Sequence, residues 1–498
     1  MWQDEKKHRT VDTLKGVLGL EVHVKVCPNR SCDRYNRPYH PEEEGALVLP
    51  HYSYGLDVLA LIGALRYRAH QSVPQIHAQV RARGVSIGER NITYLLERYD
   101  ELIALSVDPA KRRERLVAQG RAIIAIDGLQ PDVGHEVLWV IREVLSREVL
   151  LAKPLLSSAV KDLVALLQQA TAGLGVPVVG VVSDGQESIR SAVRKVFVDV
   201  PHQLCHFHYL RHAALPLYEA DRHAKKELKK CLRGIRPLER AVEGREDEEA
   251  KVIQGYCAAV RGALTDDGRP PLVASGLKLH ERLTIIQRSL EGAGEKGGLP
   301  KPLESVRRIV NKGLEKTAPL WPEIRFAFER VWEAAELLKN TTCQKAATLK
   351  QHYTDFLQYL RQRTEQAGSL KGALEHFLKV SDSYLPGLFH CYEVEGLPRT
   401  NNDLEQLFGS VRHHERRISG QKKASSSLVL RGSVHLITCV MTFLAPPTPE
   451  QLIPRDIQAW REQRKLLQQR RHSRILQRRF RRNPDAYVDN LEQQLLRL

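Results

Sequence analysis

The sequence predicts an α/β core that is interrupted by a large α-helical insertion and preceded by a helix-turn-helix region. Two short apolar runs, AIIAIDG and VPVVGVVSDG, end in Asp127-Gly128 and Asp184-Gly185, and such runs are typical of strands buried on both faces. Between them, residues 136–155 predict two more strands with a turn near Ser146, and residues 157–173 predict a helix. From about Leu210 to Gly396 only amphipathic helical patterns recur.

Composition favours an intracellular protein with a polyanionic partner. The chain has 498 residues, enough for several domains, and 76 Lys and Arg against 59 Asp and Glu give a net charge of +17. Such an excess points to nucleic acid. Eight cysteines in so long a chain do not form the dense disulfide framework of a secreted protein, and no signal peptide or membrane span is recognisable. We expect a soluble, cytoplasmic protein associated with the nucleoid.

The first cysteines leave two interpretations open. Cys27 and Cys32 lie in CPNRSCDRYNRPYH, with His23 before them and His40 after. A small structural Zn²⁺ knuckle is one interpretation, but the C-x4-C spacing is loose and the fourth ligand is not evident. An ordinary pair of free thiols is the other.

Residues 74–99 predict a helix-turn-helix. The first helix runs from Pro74 to Arg83, Gly84 makes the turn, and the second helix opens at Ser86 and continues to about Tyr99. The apolar contact between them comes from Ile76, Val80, Ile92, Leu95 and Leu96. The residues left to face a DNA groove are Arg90, Asn91, Thr93 and Tyr94. A generic helical hairpin would show a similar pattern.

Asp127 and Asp184 form a metal-site candidate because each ends a predicted strand, where functional groups of open α/β sheets lie. Hard Mg²⁺ prefers such oxygen ligands, and two ions about 4 Å apart can activate the attacking oxygen and stabilise the leaving oxygen in phosphodiester displacement. Asp-Gly is also common in turns, so either aspartate alone would be weak evidence.

A third carboxylate is predicted on the helix after Asn402. Glu405 lies at the margin of its apolar stripe, which consists of Leu404, Leu407, Phe408 and Val411. Asp403 is an alternative third carboxylate, because its angular position on the helix also lies close to the apolar stripe. Its short side chain near the helix start, however, suits capping. For Glu415 an ion pair with Arg416 or Arg417 is the simpler expectation.

The C-terminal segment is strongly basic. Residues 461–482 carry many Lys and Arg but a single acid, Glu462, a density that suits contact with phosphates. A solvated basic helix is the alternative. The candidate DNA contacts are Arg470, Arg471, Arg474, Arg478 and Arg479.

The segment PHQLCHFHYLRH places Cys205, His208 and His212 on one face if it is helical. This spacing could provide half of a zinc site, since zinc usually takes four ligands. A half-buried cluster of Cys and His side chains is the alternative.

Four of these motifs together, AIDG, VVSDGQESIRSAV, PHQLCHFHYL and TNNDLEQLFGSVR, resemble the DDE transposases of the Mutator-like superfamily found in bacterial insertion sequences. The likeness covers roughly residues 120–210 and 398–445. It implies an RNase H-like core with Asp127, Asp184 and Glu405 as catalytic, metal-binding carboxylates. It also matches Cys205 and His208 to a C-x-x-H motif, where the side chains brace the active site rather than bind zinc.

The resemblance and the patterns together predict the organisation of the chain and its activity. We expect a DNA transposase that binds the ends of its own mobile element, cleaves the strands and transfers the 3′ ends to target DNA with two Mg²⁺ or Mn²⁺ ions. Its partners would be double-stranded DNA, both element ends and target, and copies of itself in a homodimer or larger homo-oligomer, without a membrane. The predicted domains are an N-terminal region (1–50), a helix-turn-helix domain (51–118), the first part of the core (119–209), the α-helical insertion (210–396), the second part of the core (397–446) and a basic helical tail (447–498).

Two rival functions remain open at this point. One is a non-catalytic DNA-binding protein derived from a transposase, in which the three carboxylates would be free to drift, although all three are present. The other is an RNase H-fold nuclease, which needs neither the long helical insertion nor a separate end-reading domain.

Overall fold

The computed structural model describes residues 3–130, 136–266, 268, 270–421 and 426–497. The chain forms two compact units. The first comprises Met1–Val178, Ser191–Val198 and Asn402–Leu498, and the second comprises Val179–Arg190 and Asp199–Asn401.

The chain begins with a small antiparallel sheet that the sequence analysis did not predict. Its strands are β1 (Gln3–Thr13), β2 (Gly16–Val26) and β3 (Pro38–Tyr39), followed by the short helix α1 (Glu42–Leu47). Val22, Val24 and Val26 of β2 are buried at every second position, whereas the residues between them are exposed. This alternation is the signal of a half-buried strand.

Four helices follow: α2 (Leu56–Tyr67), α3 (Val73–Ala82), α4 (Glu89–Ser106) and α5 (Pro109–Gln119). Helices α3 and α4 form the predicted pair, but the prediction that the second helix opens at Ser86 and ends near Tyr99 is wrong. Val85 and Ile87 are buried while the chain between the helices is still extended. Leu102 and Ile103 continue the apolar stripe beyond Tyr99, so α4 extends by two further turns.

The central sheet has the strand order β6-β5-β4-β7-β8. β4 pairs antiparallel with β5 and β5 with β6, whereas β7 and β8 are parallel. The elements from β4 to α7 occur where the sequence predicted them, and only the three-residue β8 was missed. Their bounds are β4 (Ala122–Leu129), β5 (Val137–Glu143), β6 (Val149–Leu155), α6 (Val160–Thr171), β7 (Val178–Ser183), α7 (Glu187–Val196) and β8 (His202–Leu204).

The second unit is mostly helical, and among its described residues after β8 there is no strand, as predicted. Its core contains the fully buried aromatic side chains of Tyr209, Phe328, Tyr353 and Phe377. The helices are α8 (His206–Ala213), α9 (Leu215–Cys231), α10 (Ile235–Arg240), α11 (Glu248–Thr265), α12 (Ser275–Gly297), α13 (Lys301–Thr317), α14 (Trp321–Lys339), α15 (Ala346–Arg361) and α16 (Lys371–Tyr384).

Four helices complete the first unit: α17 (Asn402–Ser419), α18 (Ser426–Leu444), α19 (Ile457–Arg482) and α20 (Pro484–Leu495). Helix α18 packs against α2, α4 and β6, and α19 packs against α4 and α18. At 26 residues, α19 is roughly 39 Å long. Within the described part of the chain, no helix combines the length and the apolar character needed to cross a membrane.

Candidate active site and nucleic-acid interface

Asp127 lies near the end of β4, a strand that is buried along almost its whole length. Its side chain is 9 % exposed, and one carboxylate oxygen accepts a 2.7 Å hydrogen bond from the Gly128 amide. In the register of β4 and β5, Asp127 is opposite Val140 and Ala125 is opposite Arg142. Because side chains two apart on a strand share a face, Asp127 and Arg142 project from the same face of the sheet.

Helix α17, which carries Glu405, begins over that face. The Arg142 guanidinium donates a 3.4 Å hydrogen bond to the carbonyl of Asp403, and α17 packs against β4. Glu405 is half-buried in the first turn, beside the buried Leu404. The structure therefore brings the strand of the first predicted carboxylate and the helix of the third into one packed arrangement.

Two expectations about α17 are wrong. Leu404, Phe408 and Val411 are buried as predicted, but Leu407 is only half-buried and borders a groove. Glu415 is 2 % exposed and lies 2.8 Å from the imidazole Nε2 of His435 on α18. The neighbouring arginines were its expected partners, but they point to solvent because α18 covers the face on which Glu415 lies.

A groove of about 1250 Å³ runs along α17 within the first unit. Six Lys and Arg side chains and only two carboxylates line it. Three of the arginines already have acidic partners, because Arg112 and Arg115 lie 3.3 Å and 2.7 Å from Glu148 and Arg455 lies 2.7 Å from Asp108. The basic residues are Lys111, Arg112, Arg115, Arg142, Arg147 and Arg455. This surface was not predicted, although the run KRRER at residues 111–115 was a usable signal.

Asp184 lies in the second unit, directly after β7, and is half-buried. Its carboxylate accepts a 2.9 Å hydrogen bond from the Gln186 amide, and its carbonyl accepts one of 3.1 Å from the Tyr384 hydroxyl. Gly185 has a φ of +88°, and a Cβ there would come within 2.6 Å of the Tyr384 ring. Burial, and then the charge of Asp184, raise the pKa of Tyr384 to about 12, so the hydroxyl stays a donor.

Cys205 and the residue after it connect two segments of the second unit. The Cys205 amide donates to the carbonyl of Ser183 at 2.8 Å, and the buried Cys205 sulfur accepts from the Asn401 amide at 3.3 Å. The His206 amide donates to the carbonyl of Arg399 at 3.0 Å. The turn thus joins the residue before Asp184 to the segment that leads into α17.

The structure gives no support for a zinc site around Cys205 and His208. His208 is half-buried at the start of α8, beside the Phe207 ring. Among the described residues, neither it nor Cys205 belongs to a group of three potential metal ligands. The Nε2 atom of His206 lies 2.7 Å from the carbonyl oxygen of Leu388, and burial lowers the pKa of His206 to about 4.

Cys27 and Cys32 lie in a turn after β2, with free, half-buried thiols. The described residues around them supply no third potential ligand within the same distance. The two nearby histidines have carboxylate partners, since His23 lies 3.0 Å from Asp4 and His40 lies 2.6 Å from Glu44.

The four candidate DNA contacts of α4 are all exposed, in the first half of the helix. The guanidinium of Arg90 donates a 2.8 Å hydrogen bond to the Tyr94 hydroxyl, and the Asn91 amide donates one of 3.2 Å to Tyr54. The hydroxyl of Thr93 donates to the Glu89 carbonyl at 3.1 Å. The same half of a recognition helix contacts bases in helix-turn-helix proteins.

The second half of α4 is buried in a polar network. Glu101 is fully buried and lies 3.0 Å from Arg98 and 3.2 Å from Arg431 of α18. The Trp460 indole of α19 donates to the other Glu101 oxygen at 2.9 Å. Burial raises the pKa of Glu101, while the two arginines oppose that effect. Sequence patterns gave no indication of this network.

The five candidate arginines of α19 differ in their surroundings. Arg470 is half-buried, 3.2 Å from Glu136, and Arg471 forms an ion pair with Glu97. Arg474 is half-buried, whereas Arg478 and Arg479 are exposed towards the end of the helix. The exposed end is therefore the part of α19 best placed to contact phosphates.

The chain matches no protein-family model, and no curated protein is significantly similar to it.

Proposed function

We propose that the protein is a DDE-type DNA transposase, which binds the ends of its own mobile element, cleaves the strands and joins the 3′ ends to target DNA. The observation that supports this most is the position of α17. This helix carries Glu405, begins over the sheet face from which Asp127 projects, and forms one wall of the basic groove. The resemblance adds Asp184 to the set of catalytic carboxylates.

The donor chemistry of these residues fits a hard divalent ion, because all three offer carboxylate oxygens. When bound, two Mg²⁺ or Mn²⁺ ions would supply activation of the attacking oxygen and stabilisation of the leaving one. The protein holds its own groups in place for this task. The Gly128 amide orients Asp127, the Gln186 amide orients Asp184, and the N-terminal end of α17 stabilises the negative charge of Glu405.

The groove beside α17 is proposed to hold the DNA backbone next to Asp127 and Glu405. Its positive excess is suited to phosphates, and Arg142 already links the groove to the start of α17. The exposed half of α4 is proposed to contact base edges of the element ends, with Arg90 and Asn91 as the side chains that match guanine and adenine. The protein would act in the cytoplasm on the nucleoid, as a homodimer or larger homo-oligomer.

The proposal is tested by incubating the purified chain with DNA that carries the two flanks of its own gene, in the presence of Mg²⁺. We expect nicks at the element boundaries that expose 3′-hydroxyls, and joining of those ends to a target plasmid. DNA of the same length with scrambled flanks is the matched control and should remain intact.

Two outcomes would replace the proposal. Binding to the flanks without nicks at any concentration of Mg²⁺ or Mn²⁺ would indicate a non-catalytic DNA-binding protein. Equal cleavage of native and scrambled flanks, without joining, would indicate an RNase H-fold nuclease.

A further inference from the structure

Three potential metal ligands meet inside the first unit, where the proposed catalysis has no use for them. They are His414 of α17 and His435 and Cys439 of α18, and their ligand atoms all lie within 4.8 Å of one another. The i, i+4 spacing of His435 and Cys439 places both on one face of α18. Among the described residues this is the single group of three or more such side chains that could hold a metal ion.

One ring nitrogen of the cluster lacks a partner. His414 is 3 % exposed, and its Nε2 is buried without a hydrogen bond in the described structure. Its Nδ1 lies 2.9 Å from Nδ1 of His70, so only Nε2 remains without a contact of that kind. A buried polar atom without a partner is unfavourable, because it loses its hydrogen bonds to water and gains none in return. A metal ion at Nε2 would remove that cost.

The surroundings of His435 are those of a metal-binding imidazole. Its Nε2 lies 2.8 Å from a carboxylate oxygen of Glu415, and its Nδ1 lies 3.0 Å from the Tyr67 hydroxyl. Metal-bound histidines usually have their second nitrogen oriented by a carboxylate, which sets the tautomer. With Glu415 at Nε2, an ion would bind Nδ1 in place of the Tyr67 hydroxyl, which also donates a hydrogen bond to Asp100. The buried carboxylates of Glu415 and Asp100 would balance its charge.

Two imidazoles and a thiolate are borderline-soft donors, which select zinc over magnesium. A tetrahedral zinc ion would have one position left. His414 and Cys439 both line the groove beside α17, and so does His70. The fourth ligand would therefore come from the groove side, as water or as the His70 imidazole.

We propose that His414, His435 and Cys439 bind one zinc ion that links α17 to α18. Its role is structural: α18 packs against α2 and α4, so the ion fixes the helix of Glu405 to the helical part of the first unit. The site is separate from the carboxylates proposed to act in catalysis, and it does not depend on the transposase activity.

The test is the zinc content of the full-length chain, expressed with added zinc and measured by elemental mass spectrometry. The starting protein is the Cys27→Ser/Cys32→Ser double variant, in which the N-terminal thiols cannot contribute to the measured zinc. We expect one zinc per chain in this protein, and at least a tenfold lower occupancy after Cys439→Ser or His414→Asn is added. Cys343→Ser, at an exposed cysteine, is the matched control and should retain the zinc.

Cobalt titration of the metal-free double variant tests the proposed site without mutating any of its three ligands. Thiolate-to-cobalt absorption in the near ultraviolet supports the proposal, and its absence at saturating Co²⁺ overturns it. Zinc that is lost with Cys27 and Cys32, or that persists in folded Cys439→Ser protein, also overturns it. In addition, Glu415→Gln should weaken zinc binding roughly 10- to 100-fold, because it removes the carboxylate beside His435.

Discussion

Cys205 donates its main-chain amide to the carbonyl of Ser183 at 2.8 Å, and so is held against the residue that precedes Asp184. Its sulfur accepts a hydrogen bond from the amide of Asn401, the residue that precedes α17. A single buried cysteine therefore contacts the segments that lead to two of the three proposed catalytic acids. This is a positioning role, and it needs no metal.

The first prediction tests that role. Cys205→Ala removes the acceptor for the Asn401 amide and should slow cleavage roughly 10-fold or more at unchanged DNA affinity, because small misplacements of reacting groups are costly. Cys205→Ser retains an acceptor and should restore most of the rate. Cys343→Ser is the control. Loss of DNA binding in parallel with cleavage would show that Cys205 only stabilises the fold.

The second prediction concerns the buried network around Glu101. Glu101→Ala leaves Arg98 and Arg431 buried without this carboxylate, so the free energy of unfolding should fall by about 3–5 kcal/mol. Urea unfolding followed by circular dichroism measures the change. Glu89→Ala, at an exposed position of the same helix, should change it by about 0.5 kcal/mol or less. Similar values for both variants would contradict the account.

The third prediction is a pH dependence that originates at His206. Burial lowers its pKa in the folded chain to about 4, so the unfolded chain binds the proton more tightly. Its contribution to stability is therefore complete above about pH 6.5 and decreases as the pH falls towards 4, by at most about 3 kcal/mol. His206→Gln keeps a donor for the Leu388 carbonyl and should flatten this part of the stability curve. Unchanged slopes in the two proteins would refute the assignment.

The fourth prediction separates affinity from sequence preference. Replacing Arg479, Arg481 and Arg482 at the exposed end of α19 with glutamine should reduce the slope of log affinity against log salt by up to about 2.7, since each phosphate contact contributes about 0.9. The preference for one DNA end over a scrambled end should not change. Replacing Arg222, Lys230 and Lys251 of the second unit in the same way is the charge-matched control and should leave the slope as it is. A change in preference would move sequence recognition to α19.

The strands β4 and β7 could be predicted because each is a continuous apolar run that ends at Asp-Gly. β8 was missed because three residues carry too little pattern. β2 could have been predicted, because its buried valines alternate with polar residues, but this signal was not used. The apolar stripe of α17 was predicted from its periodicity. The environment of Glu415 was not, since its partner His435 belongs to another helix and a charged residue among arginines is typical of a surface.

The same reason explains which parts of the candidate site can be proposed from the sequence. Asp127 and Glu405 stand at the boundary of apolar patterns, and this unusual placement is visible in the sequence. The basic groove and the cluster of His414, His435 and Cys439 combine residues from distant segments, each of which is unremarkable alone. Only the packing of α17 and α18 in the first unit brings them together.

The central claim is that Asp127, Asp184 and Glu405 are the catalytic acids, and cleavage of element-end DNA by paired variants tests it most directly. Asp127→Asn, Asp184→Asn and Glu405→Gln should each abolish Mg²⁺-dependent nicking while DNA binding is retained, because each removes an anionic ligand and preserves size. Asp403→Asn should remain active, because the hydrogen bond from Arg142 goes to its main-chain carbonyl, which the substitution leaves in place, and Glu415→Gln should keep measurable activity despite lower stability. Normal nicking by any of the first three, or loss of nicking in Asp403→Asn with Glu405→Gln active, would contradict the assignment.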